Sequence, residues 1–403
     1  MGKVLFFNFP GEGHVNPTIA LVEELVKQGE EVVYYCVEEY KGKIEKTGAL
    51  FRPYENFLDP SHTTKRVEKK IDPLETLLHM GRSMDKVIEN ILNEIKGEKY
   101  DYVIYDNNFA AGWIIADILK LPKISSCTTF AINDKIFSTL MNIRGEMDKN
   151  SPKHQEIEEI TTKWRDQYGV ILTNNKNLMT CPGDLTLVYT STLYQPDAEK
   201  FDESFVFVGP SIAKRHDTES IRLETNRDKK LIFISMGTVF NHQPELYTAC
   251  FEAFRDSPYT VVLAVGRQTD LEQFNNAPSN FIVQPYVNQL EILKQADIFI
   301  THGGMNSSSE GLYFGVPLLV IPVMGDQPIV AKRIEELGAG LQLNRHELDA
   351  LTLRNTTEQV LLNPSIKENS KRVGKSLREA GGYKRAVEAI LKFKEDMNKR
   401  KPS

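Results

Sequence analysis

The stretch DIFITHGGMNSSSEGLYFGVPLLVIPVMGDQ, Asp297 to Gln327, reads as one complete βαβ unit. Asp297 to Thr301 is a short apolar, β-branched run that His302-Gly303-Gly304 breaks. Asn306, Ser307, Ser308 and Ser309 are suited to opening a helix whose apolar side comes from Leu312, Tyr313 and Phe314, with Gly315 placed to stop it. Val316 to Ile321 is a second buried strand, followed by a loop holding Asp326-Gln327, and Pro328 suits the first position of the next helix. In a parallel sheet the loops at the carboxyl ends of adjacent strands open into one crevice, so His302 to Ser307 and Asp326-Gln327 are expected to meet. The first loop offers glycines, backbone N–H groups and the positive end of a helix dipole, which suit a phosphate or diphosphate. The second offers a carboxylate beside an amide, which suits neighbouring sugar hydroxyls. Glu310, one turn beyond Asn306, is placed to accept from a ribose diol.

Outward from this unit, Leu231 to Met236 reads as a strand, Gly237-Thr238 as its turn, Glu245 to Phe254 as a helix and Thr260 to Val265 as a further strand. The chain opens in the same way. Lys3 to Phe9 is a strand, Pro10 to Val15 a loop, and Asn16 and Pro17 begin a helix with Ile19, Val22, Leu25 and Val26 as its stripe before the strand Glu31 to Val37. A third strand lies around Phe51, a helix spans Ser83 to Ile95, Tyr102 to Tyr105 is a strand, and Leu185 to Thr190 is expected to be the last strand of this half. Glu55 to Leu74 has little periodicity and either shapes a pocket or forms a plain loop. Charged, unpatterned residues between Ser211 and Lys230 mark a linker. The expected organisation is α/β: a first domain over 1–210, a linker over 211–230, a second domain over 231–380 and a C-terminal helix within 381–403.

His14 stands in the loop after the first strand, beside Gly13 and ahead of a helix, where an imidazole suits a general base. A loop histidine capping backbone is the plainer alternative. Asp106 ends a strand of the same sheet; it can orient His14 or simply cap the following helix, and both readings stay open.

Thr301-His302-Gly303-Gly304-Met305-Asn306-Ser307, then Glu310, Gly315-Val316-Pro317, Pro322 and Asp326-Gln327, resemble the donor-binding signature of the UDP-glycosyltransferases of the GT-B fold, in particular the bacterial macrolide glycosyltransferase-like branch. The resemblance implies two facing Rossmann-like domains and a C-terminal helix, about Tyr383 to Lys399, that packs back on the first. It assigns the base-bearing loop to Gly13-His14-Val15-Asn16-Pro17, the diphosphate to Thr238, His302, Gly304, Asn306 and Ser307, and the donor sugar to Asp326 and Gln327. Tyr286 stands where the family usually carries an aromatic, often Trp, against uracil, with Gln289 and Glu310 reading the nucleoside; Asn288 replaces the usual proline. The implied activity is inverting, metal-independent transfer of glucose from UDP-glucose to a hydroxyl of a small lipophilic acceptor such as a macrolide, flavonoid or other phenol. The UDP-sugar is then a co-substrate and no further cofactor is expected; the chain contains no Asp-x-Asp motif for a metal.

Rival readings are an epimerase or lipid-intermediate transferase of the same fold and a non-catalytic nucleotide-sugar binder. An NAD-dependent dehydrogenase fits less well. Gly11-x-Gly13 and Glu38 suit its fingerprint, but Asn16 stands where the third glycine belongs.

A chain of 403 residues is too long for one ordinary core. A net charge of -6, with lysines spread among glutamates, leaves no footprint for nucleic acid or an anionic membrane. Cys36, Cys127, Cys181 and Cys250 lie too far apart in sequence for a zinc site or redox pair, and the three of them in or beside apolar runs read as core thiols of a cytoplasmic protein. Val4 to Phe9 is too short for a signal peptide, and no apolar run approaches the roughly 18 residues of a membrane span. The sequence carries no signal for an oligomeric state.

Overall fold

The computed structural model describes residues 2–57, 73–144, 151–171, 180–213, 229–237, 243–267 and 269–400. Thr238, most of the expected linker (214–228) and the middle of the aperiodic segment (58–72) lie outside the described residues. The chain forms two units. The first joins Met1–Ser191 with Asp197–Ser211 and Ala380–Ser403, and the second joins Thr192–Pro196 with Ile212–Glu379.

The first unit holds β1 (Lys3–Phe7), β2 (Glu31–Cys36), β3 (Leu50–Pro53), β4 (Tyr102–Asp106), β5 (Lys123–Cys127), β6 (Leu185–Val188) and β7 (Phe205–Phe207). They form one parallel sheet in the order β3-β2-β1-β4-β5-β6-β7. Its helices are α1 (Glu12–Lys27), α2 (Lys41–Glu45), α3 (Pro73–Glu94), α4 (Ala110–Ile118), α5 (Asp134–Arg144) and α6 (Pro152–Tyr168). Val4, Leu5, Phe6 and Phe7 are all fully buried. A strand covered on both faces needs no alternation, which is why these runs are apolar throughout.

The second unit repeats the plan with β8 (Leu231–Ser235), β9 (Thr260–Ala264), β10 (Phe281–Gln284), β11 (Ile298–Thr301), β12 (Leu318–Val320) and β13 (Gly340–Gln342), ordered β10-β9-β8-β11-β12-β13 and parallel. Its helices are α7 (Pro244–Phe254), α8 (Gln289–Leu293), α9 (Met305–Tyr313), α10 (Gln327–Glu336), α11 (Ala350–Leu362) and α12 (Pro364–Glu379). In each sheet the winding reverses beside the first strand, between β1 and β4 and between β8 and β11. Crevices at such reversals, outside the strands' carboxyl ends, are where doubly wound sheets bind ligands.

Helix α13 (Gly382–Arg400) belongs to the first unit. Ala386, Val387 and Ile390 are buried in that unit's core. Lys394 Nζ donates to both carboxylate oxygens of Glu30, at 2.6 and 2.8 Å, and Tyr102 donates its hydroxyl to the same carboxylate at 2.9 Å.

Three sequence expectations are corrected. Helix α1 starts at Glu12, four residues before Asn16, because Gly11 takes an extended backbone (φ -168°) and its carbonyl accepts from the N–H groups of His14 and Val15, both at 2.9 Å. Asn16 does not cap it; its side-chain oxygen accepts from Lys43 Nζ at 2.8 Å. β6 is not the last strand of its half, since the half-buried run Phe205–Phe207 adds an edge strand beside it. Helix α3 starts at Pro73, ten residues ahead of the expected Ser83.

Candidate active site

His14 sits in the first turn of α1, so the turn that begins the helix also fixes the imidazole beside the β1–β4 reversal. Its Nδ1 lies 2.8 Å from Oδ2 of Asp106, the last residue of β4. A carboxylate only accepts, so Nδ1 carries the proton and the Nε2 lone pair is the basic position. Asp106 is fully buried, and its other oxygen accepts the Asn108 N–H at 2.8 Å. It does not cap α4, whose capping residue is Phe109. Thr128 Oγ1, at 3.1 Å from Nδ1, is a second acceptor for the same N–H, and the Phe9 ring packs against the imidazole at 4.8 Å between centroids. A cavity of about 250 Å³ opens close by in sequence, lined by Asn107 and Cys127 with Ile132, Lys200, Phe201 and Phe205.

In the second unit His302 follows β11 and is buried between two glycines. A Cβ on Gly304 would stand 2.5 Å from its Nε2, and one on Gly237 would stand 2.6 Å from its Cε1. Only glycine leaves the ring its place. Burial alone pushes this imidazole down to about 4, so it is uncharged at neutral pH and offers an N–H without a charge. Gly303 (φ 85°) turns the chain, and Gly304 leads into α9, where Asn306 and Ser307 occupy the first turn and remain partly exposed.

Gln289 Nε2 donates to Glu310 Oε2 at 2.7 Å, so the two residues assigned to the nucleoside meet across α8 and α9. The Arg267 guanidinium stacks over the Tyr286 ring at 3.8 Å. Asp326 immediately precedes α10 and Gln327 opens it, with Pro328 second rather than first. Gln327 Oε1 accepts from the N–H groups of Val323 and Met324, at 2.8 and 3.1 Å, leaving its amide NH2 as the part that can meet a ligand. No described helix is long and apolar enough to cross a membrane.

The family model described as "UDP-glucoronosyl and UDP-glucosyl transferase" matches residues 157–378. The chain belongs to this family. It is a glycosyltransferase with a nucleotide-sugar donor. It is 41% identical to an uncharacterized UDP-glucosyltransferase, YojK, of Bacillus subtilis over 97% of both chains. It is 36% identical to the NDP-glycosyltransferase YjiC of Bacillus licheniformis, again over 97% of both. At 27% identity it matches the demethyllactenocin mycarosyltransferase of Streptomyces fradiae, covering 97% of this chain and 86% of that one, which fits the macrolide glycosyltransferase-like branch. Among solved structures, the calicheamicin glycosyltransferase CalG4 superposes with a TM-score of 0.85 at 26% identity, over 98% of this chain and 99% of its own. The two Rossmann-like units are thus those of a GT-B glycosyltransferase.

Sequence reading missed several residues of this glycosyltransferase that the structure places at the site. Thr128 directly follows β5, the strand beside β4, so the carboxyl-end rule that flagged Asp106 also applies to it. The Gly237-Thr238 turn is placed at the site by resemblance, but nothing in the sequence marks Gly237 as packing on a histidine 65 residues away, or Arg267 as stacking on Tyr286.

Proposed function

We propose that this enzyme transfers glucose from UDP-glucose to a hydroxyl of a small lipophilic acceptor, with inversion and without a metal, and that His14 is its general base. The 2.8 Å contact between His14 Nδ1 and the buried Asp106 carboxylate carries the reading, because it commits one ring nitrogen and leaves the other as the base. The acceptor O–H gives its proton to Nε2 as the oxygen bonds to the anomeric carbon. The bond from that carbon to the diphosphate oxygen breaks, and UDP leaves with the electron pair. Both oxygens of Asp106 are engaged, which suits an orienting group and not a nucleophile for a double displacement.

Charge on the leaving diphosphate would be met by the N-terminal turn of α9 with Asn306 and Ser307, the neutral His302 and the backbone at Gly304. Thr238 is assigned here on family resemblance alone. Asp326 and the Gln327 amide would hold the sugar, and Gln289, Glu310 and Tyr286 the nucleoside. The mixed apolar and polar cavity beside Asn107 and Cys127 suits a phenol, flavonoid or part of a macrolide. Four buried free cysteines fit a reducing, cytoplasmic setting.

The test is turnover of UDP-glucose with a phenol in excess chelator, with the anomeric coupling of the product read by NMR. A β-glucoside formed in chelator is expected. An α-product overturns inversion, and activity restored only by magnesium or manganese overturns the metal-free reading.

A further inference from the structure

The chain leaves the first unit after Ser191, contributes Thr192–Pro196 to the second unit and returns at Asp197. These five residues form neither helix nor strand, so their carbonyls need partners from elsewhere. Arg333, on α10, supplies two: Nη2 donates to the Leu193 carbonyl at 2.8 Å and Nε to the Tyr194 carbonyl at 3.1 Å. A planar fork suits two successive carbonyls, which an ammonium cannot reproduce. Between those anchors the Tyr194 side chain is fully buried, and its hydroxyl faces that of Ser308, one turn into α9. The exit of the segment is fixed as well. Asp197 takes a left-handed backbone (φ 51°) and is held by Asn133, Lys135 and Lys200 at 3.4 to 3.5 Å.

We propose that Tyr194 and Arg333 are positioning residues: through Thr192–Pro196 they lock α9 against α10 and so fix the diphosphate-facing turn of one relative to the sugar-facing turn of the other. The inference rests on the assignment of the donor to these two turns. Its signature is selective. Free UDP engages only the first turn, whereas a UDP-sugar must engage both, so loosening the strap weakens the second ligand and spares the first. A general loss of folding weakens both alike.

The experiment compares Arg333→Ala, Arg333→Lys and Tyr194→Phe in the full chain, measuring UDP affinity by calorimetry, KM and kcat for UDP-glucose, and amide hydrogen exchange. For Arg333→Ala, kcat/KM for the UDP-sugar should fall about tenfold while UDP affinity stays within roughly twofold. Lysine should recover less than half of that loss on a logarithmic scale, and Tyr194→Phe, which keeps the packing, should lose about threefold. Exchange over residues 305–309 and 327–330 should speed up in Arg333→Ala. Equal weakening of UDP and UDP-sugar, or kinetics and exchange both unchanged, overturns the proposal. A wild-type protein that binds no UDP overturns the donor assignment instead, and exchange at the two turns then decides whether the strap holds them.

Discussion

His14 and Asp106 divide one task between a titrating group and a buried partner, so their variants should differ in kind. His14→Ala should lose transfer to an aliphatic alcohol by about a hundredfold or more, because the group assigned to take the proton is gone. A more acidic phenol should lose less, and UDP affinity should not move; full activity toward an alcohol would refute His14 as the base. Thr128→Val removes only the second acceptor on Nδ1 and should cost about threefold to tenfold in kcat with KM for the donor unchanged. His302 sets a different dependence, on pH. Its imidazole is held at about 4 by burial, against about 6.5 in the unfolded chain, so the unfolded state binds the extra proton between those values. Stability is therefore full above about 6.5, declines as pH falls and levels off below 4 with roughly 3 kcal/mol lost. Urea unfolding at pH 7 and pH 4.5 measures this. His302→Asn should flatten the slope, and an unchanged slope would assign it to other groups.

Gly304 and Gly237 turn a single ring position into a constraint on two loops, after β8 and after β11. Gly304→Ala should displace the His302 ring and weaken UDP by about tenfold, and Gly237→Ala adds the cost of a left-handed backbone (φ 78°). Calorimetric titration with UDP checks both, and wild-type affinity in Gly304→Ala would show that the ring is not a donor contact. The βαβ unit around residues 297–327 was legible because each of its signals is local: an apolar run, a glycine turn, a helix opening and a glycine stop at Gly315 (φ 73°). The start of α1 was misread because Gly11-Glu12-Gly13 has loop composition, while the competing Asn16-Pro17 start signal lies inside the helix. β7 was missed because an edge strand of three half-buried residues has no strong pattern. Of the contacts between distant residues, the pairing of Asp106 with His14 was legible because both stand at carboxyl ends of strands in one sheet, while others were not. Thr128 meets His14 across 114 residues with only its place after β5 to mark it, and Arg333 meets Tyr194 across 139 with no local mark on either residue.

Glu30 ties the last helix of the chain to the first unit through Lys394, and it is almost completely buried. Lys394→Ala leaves that carboxylate with Tyr102 as its hydrogen-bond donor among the described residues, and we expect about 2 kcal/mol of destabilisation, below the usual value for a fully buried pair because the lysine is partly exposed. Urea unfolding read from the first unit checks it, and Lys394→Arg should restore most of the loss; no change in midpoint would make the pair a surface contact in energetic terms. The membership of α13 also bears on how the protein is made. Every residue of the second unit has been synthesised once Glu379 is added, whereas the first unit still lacks Ala380–Ser403. Chains emerge from the ribosome amino end first, and domains usually fold in that order. Here the half begun first is finished last. Until Ala380–Ser403 clear the exit tunnel, the surface that Ala386, Val387 and Ile390 later cover stays open to water and to chaperones.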